Sequence, residues 1–534
     1  MKKINSLTLT LLLSLIFLGA CEQEVIELTD PEPDLTNISP DPCGGAAGNA
    51  NFTKFIAIGN SFVAGMQGGA LFTDGQNNSL AAIINTQLAC AGGTATFNQP
   101  SIRASLGWNL FFTQAVLGPP FDPTKPVLGR MRLQGTPPRP TPQAYAPGNF
   151  EAIPNPSVNP PFQYAGSTGA VATSALNNFA VPAITLGQAL IPATGNWANP
   201  NPAVGFSPFY ARFASNPGTS TILSDALSTN PTFFLFWLGL DDFFLHAAFG
   251  GDPTLAPLNS AGAFAGQYGA AMGAILASNA NLKGVVGNFP DIFKMPHFTS
   301  VTYNPITLSA TQVTDLNVLA TNYNGFLDAM VTATVITADE ANKRRLTFTA
   351  GAGNKILMND ETLTDLSAYM VGPAAGLLPY ARARHSANTD IIPLSTGSVL
   401  GTPGSFGVLG VSEPVGDRYV LIPAEITAIN TARAAFNTSI QTSVTDNPTR
   451  LALANIDAAL NTLIANQAGV YNGVTITPNI NPPTGIYSED GAHMNTRGYA
   501  FLSRVFIQAI NDKFGSTIPL TNISKYPATG LPLP

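Results

Sequence analysis

Phe55-Ile56-Ala57-Ile58-Gly59-Asn60-Ser61 is the stretch on which the fold turns. An unbroken apolar run, without polar alternation, reads as a strand buried on both faces, and such strands belong to parallel sheets covered by helices. The run stops at a glycine-led turn. Ser61 is thereby presented at the carboxyl end of the strand, and the helix expected to follow, running to about residue 88, aims its positive dipole at any anion formed there. Asn60 and Ser61 are also ordinary helix-capping residues. Similar runs recur from Thr232 to Leu238, from Leu282 to Val286 and from Arg450 to Ile456, while Asn177 to Ala183 reads as a strand edge entering a turn. Helical patterns near 310–331 and 424–443 alternate with them, and after His493 the residues Tyr499, Leu502, Phe506 and Ile510 form one apolar stripe. Strands alternating with helices imply an α/β architecture with a mainly parallel sheet and helices on both faces.

The chain of 534 residues is long enough for about three average domains. Charged residues make up only 10% of it, against the usual quarter, while Gly (49) and Pro (44) abound, so the exterior is expected to be loop-rich and neutral-polar. A formal charge of −7 and the lack of any basic run exclude nucleic acid as a partner. The dense proline between Pro119 and Pro161 is incompatible with regular helix or a central strand.

The amino terminus reads as export machinery. Lys2 and Lys3 precede the apolar stretch Leu7 to Leu18, and Leu18-Gly19-Ala20-Cys21 has the form of a bacterial lipoprotein cleavage box. Residues 1–20 are then a signal peptide, Cys21 carries the lipid, and 21–50 form a flexible tether to a single domain over 51–534. That places the protein in the cell envelope, anchored to the outer membrane. Cys43 and Cys90 remain for a disulfide, which the compartment permits.

Near the other end stands Ser488-Glu489-Asp490-Gly491-Ala492-His493. An acid three residues before a histidine can reach one ring nitrogen from the same turn, fixing the tautomer so that the other nitrogen serves as a base for a distant serine. Ser61 is the candidate nucleophile, with Asp490 orienting His493. If they meet, the intervening chain is one fold with insertions at about 100–176 and 300–422. His246, His297 and His385 have no carboxylate at this spacing and read as structural.

Four blocks in this order resemble the GDSL, or SGNH, family of serine esterases and lipases: Gly59-Asn60-Ser61-Phe62, Asn178-Phe179-Ala180-Val181-Pro182-Ala183, Trp237-Leu238-Gly239-Leu240-Asp241-Asp242, and Asp490-Gly491-Ala492-His493 with Asn495-Thr496-Arg497-Gly498-Tyr499 after it. The resemblance implies a three-layer α/β/α sandwich of SGNH-hydrolase, flavodoxin-like type with long loop-rich insertions. It also implies hydrolysis of a carboxylic ester, with a lipid or an acylated glycan as the substrate, through an acyl-enzyme and without cofactor or metal. By the same resemblance the oxyanion hole would use the Ser61 amide, the amide at Ala183, where glycine is usual, and a side chain at Asp241, where asparagine is usual.

That last position is the departure. An ionised carboxylate repels an oxyanion, and losing one such donor costs roughly 10²- to 10³-fold in rate. Asn60 stands where the family has aspartate, so acid and amide are exchanged. Three readings stand: Asp241 is neutral in an apolar setting beside Trp237, Phe243 and Phe244 and donates; Asn60 supplies the amide and pairs with Asp241; or the site is degraded and the protein binds acyl or glycan ligands without turnover. A metal on Asp241 and Asp242 would need further oxygen ligands that this segment lacks, and Asp242 reads as a structural acceptor. Ala183 is harmless unless its φ is positive.

Overall fold

A computed structural model describes residues 43–102, 104–109, 128–134, 139–144, 173–196, 198–199 and 205–528. The stretch read as a lipoprotein box with Cys21, the first part of the expected tether and much of the proline-dense stretch lie outside the described residues.

The core is a four-stranded, wholly parallel sheet in the spatial order β1 (Phe55–Gly59), β2 (Phe233–Trp237), β3 (Lys283–Gly287), β4 (Leu451–Ala454). On the free side of β1 the segment around Asn178 adds a parallel bridge: the Ala57 amide donates to the Asn177 carbonyl (2.7 Å), and the Phe179 amide to the Ala57 carbonyl (2.8 Å). The chain therefore steps to one side of β1 first, then crosses to build β2, β3 and β4 on the other. In such sheets the crevice for ligands opens at the carboxyl ends of the strands where the order reverses, here between β1 and β2.

Helices cover both faces. Along β2 successive side chains point to opposite sides. Phe233 and Trp237 meet Phe514 and Phe506 of the last helix, each at 5.8 Å between ring centroids, while Phe236 meets Tyr268 at 5.6 Å. The first face carries α2 (Leu80–Ala89) and α7 (Thr496–Phe514), the second α4 (Ala261–Ser278) and α6 (Pro423–Asp446), whose Phe264 and Phe436 stack at 3.9 Å. The bulky β2 aromatics are accommodated by glycine on the neighbouring strand: a Cβ at Gly284, opposite Phe234 in register, would lie 2.4 Å from that ring.

The helix expected from residue 61 to about 88 is broken. After β1 comes only one turn, α1 (Ser61–Ala64), stopped by Gly65 at φ +87. Helix resumes briefly at Thr73–Asn77 and then in α2, which Ser79 caps. No long dipole stands behind Ser61, so anion stabilisation there must come from individual amides.

Residues 43–50, read as the end of the tether, belong to the fold. Cys43 and Cys90 form a disulfide, and the Asn49 amide donates to the Phe514 carbonyl at 2.8 Å. The second insertion builds satellite cores of its own around Leu316, Tyr323 and Leu327 of α5 (Ala310–Thr332) and around Ile356 and Val420. It is pinned by Arg384, which binds Asp360 at 2.5 Å and Asp390 at 2.6 Å. From the proline-dense stretch the strands Leu128–Gln134 and Arg139–Ala144 pair as an antiparallel hairpin apart from the central sheet, as proline requires. No helix among the described residues is long and apolar enough to cross a membrane.

Gly284→Ala should lower stability by about 1–3 kcal/mol through overpacking against Phe234; a denaturation midpoint unchanged by this substitution would contradict the packing described.

Candidate active site

Ser61 is the first residue of α1, at the carboxyl end of β1, and is 2% exposed. Its preceding residue is the cap: the Asn60 side-chain oxygen accepts from the Phe62 amide at 3.2 Å. The capping and nucleophile readings are thus compatible, because they use adjacent residues. The Ser61 Oγ accepts a hydrogen bond from the Ala183 amide at 2.9 Å. That amide is aimed by an unusual backbone, since Ala183 has φ +51. The condition under which alanine becomes costly at this position is met. What holds the loop there is Asp242, whose carboxylate accepts from the Leu186 amide and from the Asn259 side chain, each at 2.7 Å.

The far end of the chain arrives at the same place. Asp490 Oδ2 lies 2.7 Å from His493 Nδ1, and the other oxygen accepts from the amides of Ala492 and His493, each at 2.8 Å. A carboxylate can only accept, so Nδ1 carries the proton, which leaves Nε2 as the ring nitrogen able to act as a base. Burial opposes the charge on Asp490, yet His493 beside it and these hydrogen bonds hold its carboxyl below the usual range. The His493 ring packs against Phe62, next to the serine, at 5.0 Å between centroids. Ser61, Asp490 and His493 are each no more than 2% exposed.

Several contributors had no signal in the linear pattern. Gly68 and Gly69, both at positive φ, turn two consecutive amides toward the tail loop: Gly68 donates to Ser488 Oγ at 2.9 Å and Gly69 to Asp490 Oδ2 at 2.5 Å. His297, read as structural, grips the acid's own turn. Its amide donates to the Gly491 carbonyl and its Nδ1 to the Asp490 carbonyl, both at 2.9 Å. Burial lowers its pKa, so the ring is neutral. His385 instead accepts from the Thr347 amide inside the second insertion, and His246 bonds the Ala256 carbonyl through Nδ1.

Asp241 begins α3 (Asp241–Ala248) at the end of the β2 loop and is 4% exposed. Burial pushes its carboxyl up to about 7, opposed by the nearby His493 and reinforced by Asp242; the Asn60 side chain also opposes the rise. The two side chains face one another: hydrogen bonding from Asn60 is what opposes the rise, although Asp241 Oδ2 and Asn60 Nδ2 are both buried without a partner of good geometry. Buried polar atoms without well-formed hydrogen bonds are costly, and these two belong to the turns that follow β1 and β2. The acids Glu361, Asp417 and Glu425 approach within 4.8 Å of one another, but none belongs to this site.

No family model matches the chain, and neither a curated protein nor a solved structure matches it.

Relieving the left-handed strain with Ala183→Gly should raise stability by roughly 0.5–1 kcal/mol while keeping the amide in place; a loss of stability in chemical denaturation would count against the backbone geometry given.

Proposed function

We propose that this protein is a serine ester hydrolase of the GDSL, or SGNH, type, with a flavodoxin-like three-layer fold, held at the cell envelope by lipid on Cys21. The observation that carries the reading is the 2.7 Å contact of Asp490 with His493 Nδ1, with the His493 ring packed on Phe62, the residue after Ser61 at the carboxyl end of β1. Ser61 Oγ attacks the ester carbonyl while His493 Nε2 takes its proton and then returns it to the departing alcohol. Water, deprotonated by the same nitrogen, releases the acyl group. Asp490 keeps the imidazole in the productive tautomer and stabilises its transient charge.

The oxyanion faces the Ala183 amide, the Asn60 amide and Asp241. With its carboxyl raised to about 7, Asp241 is largely neutral in mildly acidic solution and donates as an acid. The first two explanations of the acid–amide exchange thereby become one arrangement: Asn60 and a protonated Asp241 together replace the missing asparagine. The competing reading, a degenerate site that binds ligand without turnover, draws on the ionised form of Asp241 and on the near-complete burial of Ser61.

A fluorophosphonate probe should label the wild-type protein and leave Ser61→Ala unlabelled; an unlabelled wild type that also cleaves no acyl ester would sink the hydrolase reading. The pH dependence follows from the sign of the Asp241 shift. Protonation is present below about 7 and lost above it, so the labelling rate should fall by roughly tenfold or more at alkaline pH. Asp241→Asn keeps a donor that does not titrate, and its rate should stay level over that range. An identical alkaline fall in both proteins would rule out the neutral acid. His297→Phe keeps a buried aromatic ring but not the grip on the Asp490 carbonyl, and should slow labelling by about 10- to 100-fold through misplacement of the acid's turn, with the melting temperature as the control for folding.

A further inference from the structure

Where the proline-rich hairpin meets the second insertion there is a cavity of about 940 Å³, at the upper end of the range typical of ligand sites. Neither Ser61 nor His493 lines it, and it reaches the proposed catalytic set only at Asp490 and at its clamp His297. The walls are aliphatic, with Met131, Ile306, Leu308 and Val411 among them, interspersed with serine and threonine hydroxyls. Among the described lining residues Asp490 is the one charged group, His297 the one aromatic ring and Gln312 the one amide.

This lining discriminates between ligands. An anionic headgroup would be desolvated beside an acid with no cation among the described lining residues to pair with. A sugar needs a polar partner for each hydroxyl it buries, and the described lining offers short hydroxyls, one amide, one imidazole and one acid spread along aliphatic walls, which suits it less well. A hydrocarbon chain needs only apolar contact along its length, with a hydroxyl-bearing wall to receive one neutral polar end. We propose that this cavity binds an uncharged single-chain lipid, a long-chain alcohol or monoacyl ester, independently of whether Ser61 turns it over.

The test uses the full chain carrying Ser61→Ala, so that no turnover is required, titrated with a pyrene-labelled long-chain alcohol. Saturable one-to-one binding is expected, displaced by unlabelled long-chain alcohol and at least about tenfold less well by the carboxylate of equal length, a margin of 1.4 kcal/mol. Gly397 lines the cavity, and a Cβ there would meet only the Val301 side chain, at 3.5 Å. Gly397→Ala should therefore bind as before, while Gly397→Phe should fill the space and weaken binding by about tenfold or more. Val411→Trp approaches from another wall and should do the same if the first variant fails to fold. Absence of saturable binding, equal affinity for the carboxylate, or indifference to both filling variants would overturn the proposal. Labelling of Ser61 in the wild type is read separately: a labelled serine beside an empty cavity sinks only the lipid site, and binding without labelling sinks only the hydrolase.

Discussion

The structure depends on a stitch between its two ends. Gly68 and Gly69 donate consecutive amides to Ser488 and Asp490, the Tyr499 hydroxyl donates to the Met66 carbonyl at 2.5 Å, and Gln67 reaches Thr496 at 3.2 Å. These bonds are buried, so breaking any of them leaves an unpaired polar group out of contact with water. They do more than join the termini. By holding Asp490 from the side of α1, they set the acid, the histidine and the serine in one frame.

Around that frame the fold divides its tasks. The sheet supplies rigidity: β2, buried on both faces, anchors α7 through Phe233 and Trp237 and α4 through Phe236. Loops at the carboxyl ends of the strands carry the residues of the proposed site, from both sides of the reversal in strand order. Ser61 follows β1, the Ala183 amide follows the extended segment beside it, and Asp241 follows β2. These loops also carry conformational cost, in the left-handed Ala183 and in the buried Asn60 Nδ2 and Asp241 Oδ2 atoms that lack a partner of good geometry. Such local conflicts are what a functional site retains when the rest of a chain is optimised for stability.

The insertions add a second layer. Each carries elements that the sheet does not need, and they meet over the acid's turn, where His297 connects them to Asp490. The second insertion has its own apolar clusters and a buried Arg384 held by two aspartates, so it is a packed body and not a loose loop. The cavity beneath it is lined by His297, the residue that holds the Asp490 turn.

Much of this was legible in the linear order. Continuous apolar runs marked β1 to β4, because strands buried on both faces have no polar positions to spare. The 3.6-residue stripe marked α7, and the three-residue spacing of Asp490 and His493 was enough to pair them. Their local character made these features readable. The parts decided by tertiary structure are those made between distant segments: the breaking of the helix at Gly65, where an added Cβ would strike the Gly75 carbonyl; the positive φ of Ala183; the knitting of residues 43–50 to α7; and the clamp from His297, which nothing in its own neighbourhood announces. The ionisation of Asp241 belongs with them. Its identity is written in the chain, but its charge is set by burial and by what faces it, and only the folded arrangement supplies those.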